Sequence, residues 1–482
     1  MSSLRSFFHL DALARLLWAA ALLALPVTSF RYFPFMGPET YVRPLSAYPV
    51  ALLLLVLFVK FLRDHKRLTW PGAFTPLAAF VLAALAATMI GVLFAPLVLR
   101  GQAYWGRALR AWATLILGLA FFVSAVWMNR NEEELRYTVK WMLVGFVIDI
   151  LWSGLQGATF YLHILPKVLV TYWQRAFSMR ELIRTNRISG MAYEPAWLAG
   201  EIATIYLPWL FASLLTSLRV TRFKWLELIL SVCAVVLLLA TFSRGGLATV
   251  AATMVFTLLL AGGEYIRTAW NWFVSGFRTA AGSILRGIII LAVAISAFGA
   301  LSFLGRKNYM SRLWNTNASS IQDFLIQNSA GARAAYILGA VGAYRDHPWT
   351  GVGLGADGFY IYQNLPDWIL TFVPEIASQL SPTSGLYPNA KNLYVRLLAE
   401  TGLIGFVLFL AFQLFILGDM IIVLRRREAL WRYLGIAALF SWFGIIFYNM
   451  TQDSFATPFI WLNLGVFVGM SVLSTQFSAG MA

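Results

Sequence analysis

The chain has 482 residues, of which 60% are hydrophobic and only 12% are charged, with a formal net charge of +16. Ordinary soluble domains carry about 25% charged residues, so this composition excludes a soluble globular fold. The single cysteine, Cys233, excludes a cysteine-rich metal site.

Apolar runs follow one another along the whole chain, and each is close to the ~20 residues that a helix needs to cross a bilayer. Nineteen Trp and nineteen Tyr suit two interfacial aromatic belts. The runs predict an all-α polytopic membrane protein, a single transmembrane domain over residues 1–482. About twelve transmembrane helices are expected, near residues 12–30, 47–62, 74–99, 108–128, 139–162, 196–217, 225–242, 245–262, 286–305, 393–424, 433–450 and 458–474.

The short breaks between runs set an orientation. Basic residues cluster in the breaks 63–67, 219–224 and 425–427, which all fall on one side if every run crosses. Because short cytoplasmic loops are rich in Lys and Arg, that side is predicted to be cytoplasmic, with both termini there. Residues 263–286 mix Trp with Arg and are expected to form a cytoplasmic amphipathic segment. We expect a protein of the cytoplasmic (inner) membrane.

Two long breaks, 163–195 and 306–392, map to the opposite, periplasmic side and are rich in basic residues. Taken singly, each basic residue is most simply a solvated charge. Collectively they indicate an anionic ligand, because Arg forks match phosphate oxygens, and a lipid pyrophosphate at the outer leaflet would fit. The residues are Lys167, Arg175, Arg180, Arg184, Arg187, Arg306, Lys307, Arg312, Arg333, Arg345 and Lys391.

The most specific local sequence follows Lys391 and opens an apolar run: Asn392-Leu-Tyr394-Val-Arg-Leu-Leu-Ala-Glu400-Thr-Gly402-Leu-Ile-Gly405. It resembles the signature of the O-antigen ligase and O-antigen polymerase superfamily. Three further stretches resemble family segments in the same order: Arg187-Ile-Ser-Gly-Met-Ala-Tyr-Glu194-Pro195, Thr241-Phe-Ser-Arg244-Gly-Gly-Leu247, and Arg333 followed by His347-Pro-Trp-Thr-Gly351-Val-Gly353-Leu-Gly355. The resemblance covers about residues 180–410.

The resemblance implies the fold of C-type membrane glycosyltransferases and a role in lipopolysaccharide or exopolysaccharide biosynthesis. The implied reaction transfers glycan from an undecaprenyl-pyrophosphate-linked oligosaccharide at the periplasmic face. No nucleotide sugar, cofactor or metal is expected. The lipid membrane is an expected partner, a chain-length regulator is a candidate partner, and nucleic acid is not expected to bind.

The predicted site combines cations with one carboxylate. Arg244 and Arg333 are expected to bind the pyrophosphate with Lys391 assisting, and Glu194 is the leading candidate for the base. Arg187, Asn392 and Tyr394 are further expected substrate contacts. Simpler roles stay open: Arg244 as an interfacial anchor, Arg333 in a salt bridge, and Glu194 as a helix cap.

The glycine run Gly351-Val-Gly353-Leu-Gly355 has two interpretations. It could expose backbone N–H groups to phosphate, or it could let the chain bend beneath the substrate. It is not a nucleotide-binding fingerprint, because no strand-turn-helix unit surrounds it.

One departure from the family favours a polymerase. Ligase-like members carry His where this chain has Lys391, and the pair Glu194-Pro195 resembles polymerase-like members. The predicted function is therefore a polysaccharide repeat-unit polymerase. The alternative is an O-antigen ligase that uses lipid A core, or a protein O-glycosyl ligase. A flippase or other transporter of lipid-linked oligosaccharide ranks third.

Overall fold

The fold is described by a computed structural model for residues 2–33, 40–64, 70–96, 98–182, 186–221, 223–306, 308–312, 317–328, 330–380, 384 and 387–479. Two of the basic residues named above, Arg184 and Lys307, lie outside these ranges. Each predicted apolar run contains a helix. The long helices are Ser2–Leu23, Ala47–Asp64, Phe74–Gly91, Tyr104–Trp127, Glu132–Phe160, Pro195–Leu215, Lys224–Ala240, Arg244–Ala261, Ala280–Gly305, Leu393–Leu424, Ala429–Asn449 and Leu462–Ala479.

Shorter elements lie between these helices. Helix Pro195–Leu215 contains a π-helical stretch, Ile202–Tyr206. The short helices are Lys167–Arg175, Gly263–Ser275, Asn308–Ser311, Ile321–Gln327, Gly331–Asp346, Gly358–Ile361, Asp367–Phe372 and Pro374–Leu380. The 3-10 turns are Gly276–Arg278, Tyr362–Asn364 and Pro458–Ile460, and one antiparallel pair of strands joins Val98–Leu99 to Gln102–Ala103.

Within the described ranges, eight helices are long and apolar enough to cross a membrane. The protein is thus a mostly helical membrane protein. The remaining predicted spans also fold as helices, and their crossing of the membrane stays a prediction: Ser2–Leu23, Ala47–Asp64, Lys224–Ala240 and Leu462–Ala479.

Three of the helix boundaries that differ from the predicted runs have a local explanation. The helices expected over 12–30 and 74–99 end at Leu23 and Gly91. Pro26 and Pro96 follow these ends by three and five residues, and neither helix can continue through a residue that lacks a backbone N–H. The helix expected from residue 286 begins at Ala280, because the Thr279 side chain accepts from the backbone N–H of Gly282 and caps it earlier. The predicted amphipathic segment 263–286 therefore includes the start of this next helix.

The bundle has a buried centre and a peripheral helix. Helices Pro195–Leu215 and Ala429–Asn449 are 83% and 78% buried over their apolar windows, whereas Ala280–Gly305 is 6% buried. The central pair also packs through Gly200, where an added Cβ would lie 2.0 Å from the ring of Tyr448. This close approach fixes the two helices against each other.

Helix Leu393–Leu424 is kinked at Gly402, which has a φ of +63°. A Cβ atom on Gly402 would lie 2.3 Å from the carbonyl carbon of Trp349. Glycine is required here both for its backbone conformation and for this contact. The family-like spacing of Glu400 and Gly402 therefore marks the place where another segment packs against the kink of this helix.

The glycine run supplies that segment. The backbone N–H of Val352 donates to Ala399 O at 2.9 Å, and that of Gly353 donates to Glu400 O at 2.9 Å. These donors satisfy the carbonyls that the kink exposes. Of the two interpretations of the glycine run, the structure supports the bend, because these N–H groups are already bonded within the protein.

Part of the break 163–195 enters the bundle. Gln156 Oε1 accepts from the backbone N–H of Gly190 at 3.0 Å, and Asp149 Oδ1 accepts from that of Met191 at 2.7 Å. Asp149 lies eleven residues before the end of helix Glu132–Phe160, about 16 Å along its axis. Non-helical backbone at this depth requires protein partners in place of water. The segment leading to Glu194 is therefore buried among the helices.

Candidate functional site

Four residues between the last two long helices, Met450–Asp453, connect the predicted motifs, and we call them the hub loop. The carbonyl of Thr451 accepts from Arg333 Nη1 at 2.7 Å. The carbonyl of Met450 accepts from Asn392 Nδ2 at 3.1 Å. Two stretches that are far apart in the chain are thus held against one short loop.

The turn before helix Leu393–Leu424 is built by its own motif. The Asn392 side chain accepts from the backbone N–H of Tyr394 at 2.9 Å and caps the helix. The Tyr394 hydroxyl donates to Ile446 O at 3.1 Å. Both residues were predicted to contact substrate, and the structure gives each a role in holding the turn.

Lys391 occupies that turn in a left-handed conformation, with a φ of +57°. Its backbone N–H donates to Asp453 Oδ2 at 2.9 Å, and the N–H of Ala390 donates to Asp357 Oδ2 at 3.1 Å. Two carboxylates thus hold consecutive backbone groups. Burial raises the pKa of Asp357, and the Arg396 charge opposes that shift.

Arg396 ties this turn to the kink. Its Nε donates to Glu400 Oε2 at 3.0 Å, and its Nη1 donates to Asp453 O at 2.6 Å. Because an uncompensated buried charge is costly, losing either member of the buried pair Arg396 and Glu400 would strongly destabilise the region. The glutamate of the family-like motif therefore has a structural partner one turn before it.

The Lys391 ammonium differs from these groups. Its side chain is half-buried, and among the residues that the structure describes it has no hydrogen-bond or ion-pair partner. A cation on a constrained turn whose ammonium pairs with no carboxylate among the described residues is suited to bind an anionic ligand.

The turn carrying Arg244 is braced by Arg187. Arg187 donates to the carbonyls of Thr241 and Phe242 at 2.9 and 3.2 Å, and Phe242 has a φ of +48°. Arg244 begins the following helix, and its Nη1 donates to Asn328 O at 2.8 Å. Arg187 was predicted to contact substrate, and here it stabilises the turn.

Arg244 and Arg333 are brought into one neighbourhood. Asn328, the partner of Arg244, lies five residues before Arg333. A Cβ atom on Gly245 would lie 3.5 Å from Thr451 Cγ2, and Thr451 is the residue that binds Arg333. Both arginines therefore border the hub loop, as the hypothesis of a shared anionic site requires.

Glu194 is exposed and immediately precedes helix Pro195–Leu215. Its side chain makes no capping hydrogen bond, which weakens the interpretation of this residue as a helix cap. Arg180 is its electrostatic neighbour: burial lowers the pKa of Arg180, and the Glu194 charge opposes that shift.

The sequence pattern did not predict the hub loop or two of the charged residues around it. No role was predicted for Asp357 or Arg396. The only available signal was the presence of a charged residue beside or within an apolar run. Such a residue is a candidate functional residue by default. Over the described ranges, no group of three His, Cys, Asp or Glu side chains could hold a metal ion.

Comparison with known families gives one match, which covers part of the chain. A family model described as O-antigen ligase matches residues 229–410. No curated protein matches the chain. The matched region contains Arg244, Arg333, Lys391, Asn392 and Tyr394, whereas Arg187, Glu194 and the hub loop lie outside it. The match over residues 229–410 supports the resemblance of this part of the chain to the O-antigen ligase and polymerase superfamily.

Proposed function

We propose that this protein is a polysaccharide repeat-unit polymerase. It transfers a growing glycan from undecaprenyl pyrophosphate to a sugar hydroxyl of a second lipid-linked repeat unit, at the periplasmic face of the inner membrane. The observation that carries the proposal is the hub loop, which gathers the Arg333 helix and the Lys391 turn and borders the Arg244 turn.

The chemistry requires a pocket for a leaving pyrophosphate. As the glycosidic bond to the phosphate breaks, negative charge grows on the pyrophosphate oxygens, and fixed cations stabilise it. Arg244 and Arg333 are the bidentate donors in this proposal, and Lys391 is a point charge. Glu194 takes the proton of the acceptor hydroxyl as the new glycosidic bond forms.

Two residues favour a polymerase over a ligase. Lys391 stands where ligase-like members carry His, and Glu194 stands before Pro195 as in polymerase-like members. The second candidate is an O-antigen ligase acting on lipid A core or on a protein, and the family match is compatible with both candidates. The two candidates share the donor site and differ in the acceptor.

The test uses purified protein in lipid nanodiscs with an undecaprenyl-pyrophosphate-linked repeat unit as the only substrate. A ladder of glycans that remain on undecaprenyl pyrophosphate is expected. Arg333→Ala should abolish the ladder. Arg345→Ala is the matched control, because Arg345 is exposed at the other end of the same helix. Transfer only when lipid A core or a protein is added would support the ligase, and translocation without transfer would support a transporter.

The orientation is tested separately by cysteine labelling. Cys233→Ser removes the single native thiol, and Ser275→Cys and Asn317→Cys then introduce one exposed thiol each. An impermeant maleimide added to intact spheroplasts should label position 317 and spare position 275. Labelling of position 275 alone would contradict the periplasmic location of residues 306–392.

A further inference from the structure

Two tyrosines from distant parts of the chain stack beside Glu194. The rings of Tyr41 and Tyr193 have centroids 4.6 Å apart and planes inclined by 16°. Tyr193 immediately precedes Glu194, and the Tyr41 side chain is 44% exposed. We call these two residues the tyrosine pair. A stacked pair with one accessible member presents a rigid aromatic surface.

The tyrosine pair is held in place by the backbone. The N–H of Tyr193 donates to Thr28 Oγ1 at 3.0 Å, and the N–H of Arg43 donates to Thr28 O at 2.8 Å. Thr28 thereby links the segment that carries Tyr41 to the segment that carries Tyr193. The stack is therefore part of the fold, unlike a lone aromatic ring lying at a membrane interface.

Polar groups flank the aromatic surface. Arg180 Cζ lies 5.8 Å from the centroid of the Tyr193 ring, and the buried Arg180 Nε has no hydrogen-bond partner among the described residues. Burial, followed by the effect of Tyr41, raises the pKa of Tyr193 to about 12. The Tyr193 hydroxyl is thus neutral at physiological pH and can both donate and accept a hydrogen bond.

We propose that the tyrosine pair, with Arg180 and Glu194, is the binding subsite for the acceptor sugar. A pyranose ring has one face of C–H groups, which suits an aromatic surface, and a rim of hydroxyls, which suits a guanidinium and a carboxylate. Small-molecule sites combine apolar walls with a few placed polar groups in this way.

The position supports the acceptor sugar over the donor. A base must lie within hydrogen-bond reach of the hydroxyl it deprotonates, so the acceptor sugar must lie beside Glu194. The predicted pyrophosphate ligands lie on other elements, at the hub loop. This inference rests on the proposed function for the role of Glu194, but sugar binding at the tyrosine pair can be measured without catalysis.

The experiment measures binding of a free repeat-unit oligosaccharide, without lipid or phosphate, to the purified protein by saturation-transfer NMR. Tyr41→Ala and Tyr41→Leu should each weaken binding about three- to tenfold, since both remove the aromatic face, and Tyr41→Trp should retain it. Tyr32→Ala is the matched control, because Tyr32 lies in the same outer segment, is 65% exposed and packs on Phe30. All variants are compared at equal membrane abundance and thermal stability.

Two results would overturn the subsite: no saturation transfer to the oligosaccharide in the wild-type protein, or equal binding by wild type, Tyr41→Ala and Tyr41→Leu. Failure of the proposed function gives a different pattern. If the protein used only lipid A core as acceptor, glycan ladders would be absent, while Tyr41→Ala would still weaken the binding of the core sugar.

Discussion

Asp453 accepts a hydrogen bond from the backbone N–H of Lys391 at 2.9 Å, while Lys391 adopts a left-handed conformation with a φ of +57°. For a residue with a side chain, this conformation costs about 1–2 kcal/mol. Such strain persists only where surrounding contacts over-determine it, and it clusters at functional sites. The contact therefore identifies Asp453 as the residue that positions Lys391.

Asp453→Ala is expected to lower the turnover of glycan transfer about ten- to hundredfold. The Lys391 N–H would lose an ionised acceptor, and hydrogen bonds to charged groups contribute about 1.5–3 kcal/mol. Asp453→Asn should lose less, because its amide oxygen can still accept. Initial rates with purified protein check this prediction. Asp419→Ala, near Ser471 in the same bundle, is the control, and a wild-type rate in Asp453→Ala would remove the positioning role.

Arg244→Ala and Arg333→Ala should each abolish polymer formation while leaving the protein in the membrane. The Lys variants at these positions should recover only part of the activity, since a point charge cannot reproduce a bidentate fork. Glycan ladders and membrane immunoblots measure the two quantities.

Sharing of one anion by these arginines has a further signature. Both arginines would stabilise the same leaving group. The activation free energy of transfer in the double variant Arg244→Lys, Arg333→Lys should therefore differ from the sum of the two single effects by about 0.5–3 kcal/mol. Arg345→Ala should leave the rate unchanged. Strict additivity would mean two separate roles, and wild-type chain lengths in Arg244→Ala would make that residue an interfacial anchor.

The helices and the turns that carry Arg244 and Lys391 were predictable from the sequence, because both are local properties. Apolar runs set the helices, and the motif around Asn392 correctly predicts a helix that opens after it. The turn at Arg244 was also predictable, since Gly245 and Gly246 follow it directly. Each of these inferences needs only residues that are close in the chain.

The hub loop could not be predicted in the same way. Thr451 and Met450 act through backbone carbonyls, which every residue possesses, so their side chains carry no signal. The buried segment before Glu194 is similar, because Asp149 and Gln156 look like isolated polar residues until the backbone they bind is known. This part of the site is formed by main-chain contacts between segments that are far apart in the chain.

Gly402→Ala should destabilise the protein by more than about 1 kcal/mol. The new methyl group would meet the carbonyl of Trp349, and the φ of +63° is unfavourable for alanine. Gly418→Ala in the same helix is the matched control, because no atom lies within 4 Å of its added Cβ. Thermal unfolding in detergent compares them. Equal midpoints for the two variants would show that the kink tolerates a side chain.

Replacement of Lys391 tests whether it binds pyrophosphate as a cation. Lys391→Arg should keep much of the activity, because a guanidinium retains the charge and binds phosphate. Lys391→Ala should lose a large part of it. Lys391→His should be active mainly below its imidazole pKa of about 6.5 and should lose activity as pH rises, because the ring then gives up its proton. Transfer rates between pH 5.5 and 8.5 measure this trend.

The opposite hypothesis makes Lys391 the acceptor base, and the same variants separate the two roles. A base must be able to release its proton, and a guanidinium does not do so in a protein. If Lys391 were the base, Lys391→Arg would bind the lipid-linked substrate and transfer nothing at any pH, whereas Lys391→His would gain activity as its ring becomes neutral. Complete loss in Lys391→Arg with intact substrate binding would therefore refute the phosphate-binding role and move the base from Glu194 to Lys391.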